Sequence, residues 1–211
     1  MGNAPIVKTE GIVLKRIEVS NTSTTVVWLT RDHGRLATLI KGAQRPKSFF
    51  LGRVDVFYTC ELLYYARDRE HLHFARECSP LRTRPALRRR WKSAAVASYW
   101  CDLVQRVLPW GTPQPVLYDL LDTALDAIAA ATVSAAQVYW FELRVLNLLG
   151  QAPRWDRCVL CGSKLPVDAA AVFSAAQGGL ICQGCRQGQR GLMTVPPDRR
   201  ALLGALRVAP S

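Results

Sequence analysis

Four cysteines near the C-terminal end carry the clearest chemistry in the sequence: Cys158, Cys161, Cys182 and Cys185. They read C-V-L-C, twenty intervening residues, then C-Q-G-C. A C-x2-C pair makes a tight turn that aims two sulfurs at one point, and two such pairs fit a tetrahedral Zn2+ site. Gly162 and Gly184 are small, permissive residues at those turns. Four thiolates leave no open coordination position, so the expectation is one structural Zn2+ with no chemistry of its own. The competing readings are two thioredoxin-like redox pairs or four incidental thiols; the doubled motif favours metal. Cys60, Cys78 and Cys101 sit in strand-like or helix-like segments and read as small buried apolar residues.

Two basic stretches offer a second chemistry, the neutralisation of phosphates. Between positions 31 and 53, Arg31, Arg35, Lys41, Arg45, Lys47 and Arg53 are set against Asp32 alone. The centre is K-G-A-Q-R-P-K-S at 41–48, bent at Gly42 and stiffened by Pro46. Such a loop holds cations outward at about the spacing of backbone phosphates. If about six of them each engage a phosphate, affinity falls roughly 10³-fold between 50 and 200 mM salt. Phe49 and Phe50 follow, read first as plugs of a barrel bottom, with stacking on unpaired bases as the alternative. The second stretch is Arg82, Arg84, Arg88, Arg89, Arg90 and Lys92, at the start of a long helical segment. The helix dipole disfavours cations there, which points to an anion nearby. Leu87 and Trp91, four apart, are expected to face the core, with Arg88, Arg89 and Lys92 splayed outward. The candidate nucleic-acid contacts are therefore Arg35, Lys41, Arg45, Lys47, Arg88, Arg89 and Lys92.

Catalytic motifs are missing. The histidines are His33, in a turn, and His71 and His73, two apart on one strand face without an accompanying carboxylate motif. No H-x-E precedes a P-C-x-x-C, which disfavours a zinc deaminase. There is no P-loop, no G-x-G-x-x-G after a strand and no G-x-S-x-G. No covalent catalysis is expected.

The chain of 211 residues is long enough for one large or two small domains, and 49% hydrophobic content supports a proper core. A net charge of +12 points to a polyanionic partner, nucleic acid before an anionic membrane surface. The first residues, MGNAPIVKTEG, are not a secretory signal, and no apolar run reaches the ~20 residues of a membrane span. A cytoplasmic, nucleoid-associated protein with reduced thiols is expected, which again favours metal over disulfides.

Periodicity supplies the elements that must position these groups. Residues 1–80 read as five short strands, a small closed or partly open barrel. The strands are expected from Gly11, over Thr24–Thr30, Arg35–Lys41 and Val54–Ala66, and from His71 to Glu77. Asp32-His33-Gly34 turns one hairpin and Arg67–Glu70 another. The second domain, 81–211, is helical and contains the four-Cys module at about 155–188. A helix runs from Pro85 to Leu108, stopped by Pro109. A second spans Val116 to Ala131. Ser134 and Gln137 form a capping box that opens a third, with Val138, Phe141, Val145 and Leu148 on its buried face. A last short helix covers Pro197 to Leu206. The fold class is thus α+β multidomain: an N-terminal five-stranded barrel, then a helical domain that contains the four-Cys zinc module.

G-I-V-L at 11–14, L-T-R-D-H-G at 29–34, K-G-A-Q-R-P-K-S at 41–48 and the two C-x2-C pairs after L-x-x-L-G at 146–150 resemble the bacterial DNA repair protein RecO family. The likeness extends over nearly the whole chain, and it implies that the barrel is a five-stranded oligonucleotide/oligosaccharide-binding (OB) fold and that the four-Cys module is a zinc ribbon inserted in the helical domain. It implies a recombination mediator that binds single- and double-stranded DNA, anneals complementary strands and helps load RecA. The implied partners are RecR and the acidic C-terminal tail of single-stranded DNA-binding protein. Carried onto this chain, the loop at Lys41 falls on the DNA face of the barrel and the four cysteines on the ribbon. Two departures stand out: Val19-Ser20-Asn21 replaces an acidic step, and the chain ends soon after Leu206, leaving Arg199 and Arg200 as the local basic candidates. Alternatives from other classes are an RNA-binding barrel and a zinc-stabilised scaffold for acidic proteins.

Overall fold

The computed structural model describes residues 4–67, 72–166, 168 and 170–208, without the side chains of 207 and 208. The chain divides into two compact units, 1–133 and 134–211. The strand-to-helix change near residue 80 lies inside the first unit, because the helices after it bond directly to the barrel.

The first unit opens with five strands: β1 (Ile6–Glu18), β2 (Thr24–Thr30), β3 (Gly34–Ile40), β4 (Thr59–Tyr65) and β5 (Leu72–Arg82). They close into a barrel in the order β1-β2-β3-β5-β4, with β3 parallel to β5 and β4 returning to β1. This is the five-stranded barrel of the OB class. β1 reaches both neighbours because it is long, and a register shift between Val13 and Lys15 bends it around the curve. The barrel core contains Val13, Val26, Trp28, Leu36, Ile40, Cys60, Leu62 and Cys78. Trp28 donates its indole N–H to Thr38 Oγ1 at 2.9 Å, so its one polar atom is satisfied inside the barrel. Gly34 turns the β2–β3 hairpin at φ +66°, and a Cβ there would run into the Thr112 backbone.

Two expected elements differ. The fourth strand begins at Thr59, not Val54. Val54 and Phe57 are buried plugs, and Phe57 has φ +69°, which no strand accommodates. The segment expected as the Arg67–Glu70 turn and the start of the fifth strand at His71 lies, from 68 to 71, outside the described residues.

The expected helix Pro85–Leu108 is two helices, α1 (Pro85–Arg89) and α2 (Trp91–Val107). Arg90 between them is extended, at φ −120° and ψ 101°. That break shifts the helical phase. Leu87 is buried as expected, but Trp91 is 76% exposed, opposite the buried stripe of Ser93, Ala97, Trp100, Cys101 and Val104. α3 (Pro115–Ala130) buries Leu117, Leu121, Ala124, Leu125 and Ile128.

Arg84 joins barrel to helices. It is left-handed at φ +47° and 6% exposed. Its guanidinium donates to Asp126 Oδ1 (2.6 Å), Phe57 O (2.7 Å), Thr59 Oγ1 (2.9 Å), and Asp122 Oδ1 (2.6 Å) and O (3.2 Å). Those five bonds use every N–H that the group has.

The second unit starts with α4 (Ala135–Leu148), capped reciprocally by Ser134 and Gln137 as the sequence predicts. Phe141 and Val145 are buried, whereas Leu148 is 38% exposed. A three-stranded sheet follows, ordered β7-β6-β8, from β6 (Ala171–Ser174), β7 (Gly179–Ile181) and β8 (Leu192–Val195). α5 (Pro197–Val208) closes the unit.

Replacing Arg84 with Met should lower unfolding free energy by about 3–5 kcal/mol, because Asp122 and the Phe57 carbonyl lose a buried partner. Urea unfolding followed by circular dichroism measures it. A loss under about 1 kcal/mol would show that the hub is not needed.

Candidate nucleic-acid surface and metal centre

The described residues contain one four-ligand cysteine cluster, and the sequence named all of it. The Sγ atoms of Cys158, Cys161, Cys182 and Cys185 all lie within 4.8 Å of one another. Backbone bonds explain the convergence. Cys158 N–H donates to Ser163 O and Gly162 N–H to Cys158 O, both at 2.9 Å, closing the first knuckle. Gly162 has φ +76°, the left-handed corner this turn requires. β7 delivers Cys182, and a 3-10 turn over Gln183–Cys185 swings Cys185 back. The two knuckles meet because Val159 N–H donates to Leu180 O at 2.9 Å, pairing the first with β7.

The donor set fits a metal. A tetrahedral site with metal–sulfur bonds of about 2.3 Å has edges of about 3.8 Å, and Cys161 Sγ lies 3.7 Å from Cys182 Sγ. The thiols are also primed unequally. Burial raises the Cys158 pKa, but backbone N–H groups of Cys161, Cys182 and Leu160 outweigh it and bring it down to about 6. Cys161 is lowered, first by the Ser163 hydroxyl. Cys185 is pushed up to about 12, chiefly by its bond to Cys182. A divalent cation displaces such a retained proton.

Arg200 anchors this module from α5. It is 5% exposed and donates to Trp155 O (2.8 Å), Leu165 O (3.0 Å) and Pro166 O. Of the two basic residues expected near the C-terminal end, Arg199 is therefore exposed and Arg200 is a structural anchor.

The candidate nucleic-acid contacts all lie in the first unit, and the structure sorts them. Lys41, Arg45 and Lys47 are exposed on the loop after β3, and Arg89 and Lys92 are exposed beside the α1–α2 break. None of these five has a carboxylate within 4.0 Å among the described residues. Arg88, with a side chain 51% exposed, pairs with Asp55, which also accepts from Arg16 at 3.3 Å. Asp55 thus ties α1 to the 41–58 loop and sets Arg16 and Arg88 side by side. Arg35 stands apart. It is the second residue of β3 while Lys41 follows the strand's end, about 20 Å away along the strand. Its guanidinium donates to Gln105 O and lies 4.0 Å from the Trp110 ring centroid, a strut between strand and helix. Burial lowers its pKa.

The other basic residues of the two stretches are partly spent internally. Asp119 takes Arg31 at 2.8 Å, and Asp122 takes Arg82 at 2.5 Å and Arg84 at 2.6 Å. Three of the cations that have no carboxylate partner among the described residues lie over rings instead: Lys41 over Phe74 at 4.9 Å, Arg53 over Phe49 at 4.0 Å and Lys92 over Trp91 at 5.7 Å. A ring braces the cation without cancelling its charge. Phe49 and Phe50 part company: Phe50 packs against the barrel core, and Phe49 is 50% exposed. The sequence reading missed Arg16, Asp55 and the exposure of Trp91; a carboxylate alone in a basic loop was the available signal for Asp55.

Residues 3–84 match the family model described as recombination protein O N terminal, and residues 88–210 the one described as recombination protein O C terminal. Proteins named DNA repair protein RecO are similar to this chain. The one from Syntrophus aciditrophicus is 33% identical over 178 residues, 84% of this chain and 69% of the relative. The one from Desulforudis audaxviator is 35% identical over 179 residues, 85% and 70% respectively. The one from Rhodopirellula baltica is 31% identical over 204 residues, 93% and 72%. Among the described residues, no helix is long and apolar enough to cross a membrane.

In metal-free protein at pH 7, iodoacetamide should label Cys161 early and spare Cys101, which burial pushes up to about 12. The Cys158 thiolate, with its pKa of about 6, regains its proton below that pH, so labelling of Cys158 slows as pH drops through it. Added Zn2+ should protect Cys161. Peptide mass mapping reads each site; equal labelling of all seven cysteines contradicts the arrangement.

Proposed function

The chain belongs to the recombination protein O (RecO) family of DNA repair proteins, and from that premise we propose that it handles DNA strands without covalent catalysis. It binds single- and double-stranded DNA through phosphates, lowers the repulsion between complementary strands so that they anneal, and helps load RecA together with RecR. Capture of the acidic tail of single-stranded DNA-binding protein brings it to coated DNA in the cytoplasm. The observation that carries this reading is the cluster of exposed cations that have no carboxylate partner among the described residues, on the loop at Lys41, Arg45 and Lys47 and at Arg89 and Lys92. Contacts of this type are with backbone, so sequence preference is weak.

The four cysteines would hold one Zn2+, and a bound zinc ion supplies only a cross-link between two knuckles. The chain's own contribution is the paired turns and the Arg200 anchor, which fix the cluster against α5.

Lys41→Glu with Arg45→Glu tests the reading in a salt titration of binding to single- and double-stranded oligonucleotides. The double variant should lose more than about tenfold in affinity for both and show a shallower dependence on salt by about two phosphates. Annealing of complementary strands, with and without RecR and tail peptide, should slow in parallel. Unchanged binding and annealing at low salt would remove the barrel loop from the mechanism, and stronger binding to RNA of the same length would move the function to RNA.

A further inference from the structure

Trp91 is the most exposed of the large apolar side chains among the described residues, at 76%. An indole of this size buries roughly 150–250 Å² when it has a partner, so leaving it in water needs a reason. The local cause is Arg90. Were the helix continuous, Trp91 would follow Leu87 by four residues onto the buried side. The extended backbone at Arg90 ends α1 and restarts α2 in a new phase. At about 100° per residue, Trp91 then points away from Ser93, Ala97 and Val104. Ala95 and Ser98, on the following turns of the same side, are exposed and too small to cover it.

Its surroundings are cationic. Arg88, Arg89, Arg90 and Lys92 flank it in sequence and are exposed. The Lys92 ammonium sits 5.7 Å from the ring centroid. Neither α1 nor α2 has an acidic residue in its first turn, and neither has a side-chain cap on its first N–H groups. A protein partner for an exposed indole is recognised by apolar surface and would be repelled by this much positive charge unless it were acidic. An unpaired nucleobase satisfies both features: its π-face stacks on the ring while its phosphates meet the guanidinium and ammonium groups.

We propose that Trp91 is a stacking platform for an unpaired base, and that it gives this surface a preference for single-stranded over double-stranded nucleic acid. The inference rests on the phosphate-binding reading above and adds to it. Phosphate contacts alone give no preference for the single strand, since both forms present the same anion and the duplex presents it more densely. A stacked base does, because bases within a duplex keep their faces covered by neighbours. Phe49, exposed on the loop and braced by Arg53 at 4.0 Å, is the second ring available for the same purpose.

The experiment compares full-length wild type, Trp91→Ala and Trp91→Phe. Binding is measured to a single-stranded oligonucleotide, to the same strand with abasic sites, and to a duplex of equal length, at one stated salt concentration and across a salt series. Trp91→Ala should weaken single-strand binding roughly tenfold and leave duplex affinity and the salt slope unchanged. Trp91→Phe should restore most of the loss, and abasic strands should bind wild type and Trp91→Ala alike. Because Trp91 is solvent-exposed, the variants should keep the wild-type melting temperature, which thermal unfolding checks. If Trp91→Ala leaves the ratio of single-strand to duplex affinity unchanged while wild type binds DNA, the stacking role is overturned and the phosphate reading stands. If wild type binds neither form even at low salt, both fall.

Discussion

A buried guanidinium holds the first unit together. Arg84 has a side chain only 3% exposed and meets two acids of α3, Asp122 and Asp126, at 2.6 Å each. Burying a charge is costly unless it is paired and fully hydrogen-bonded, and here every donor is used. The same group reaches the Phe57 carbonyl, so the two non-glycine residues with positive φ among the described residues are joined by one bond. Each such residue costs on the order of 1 kcal/mol or more. The hub offsets that cost and fixes where the 41–58 loop ends and where α1 begins. Asp55, near the end of that loop, then receives Arg88 from α1.

The proposed function rests on how charge is divided around that hub. α3 presents Asp119, Asp122 and Asp126 at helical spacing toward Arg31, Arg82 and Arg84, and this inner set is neutralised. The outer set, on the loop and at the α1–α2 break, is braced by aromatic rings or, as at Arg45, Lys47 and Arg89, has no carboxylate partner among the described residues. Salt bridges on a surface contribute little to stability, so leaving these cations unpaired costs the fold little and preserves their field for a polyanion. A net charge of +12 is therefore not spread evenly over the molecule's chemistry. The inner arginines build the frame, and the outer lysines and arginines are available to phosphates.

Much of this was legible in the sequence. β2 spans Thr24–Thr30 as its β-branched run predicts, the Ser134–Gln137 box caps α4, and the C-x2-C spacing named the four sulfurs. These signals are local: each is decided by residues within one turn or one strand. The parts that escaped depend on distant partners. Arg84 and Arg88 look alike in sequence, yet one finds Asp122 and Asp126, about forty positions on, and the other stays at the surface. Arg200 and Arg199 divide in the same way. The break at Arg90 has no glycine or proline to announce it, and the left-handed turn at Phe57 is stabilised by a donor 27 residues away. Periodicity therefore carried Trp91 into the core, when the phase change puts it in water.

On the proposed reading, the loop after β3 and the α1–α2 break act as one strand-binding surface. Hydrogen–deuterium exchange of the full chain, with and without a saturating single-stranded oligonucleotide at low salt, tests it most directly. Slowed exchange in residues 41–53 and 88–95 together, with the Asp119 side of α3 unchanged, is the predicted result. Protection confined to residues 134–211, or to the loop without the helix break, would contradict it.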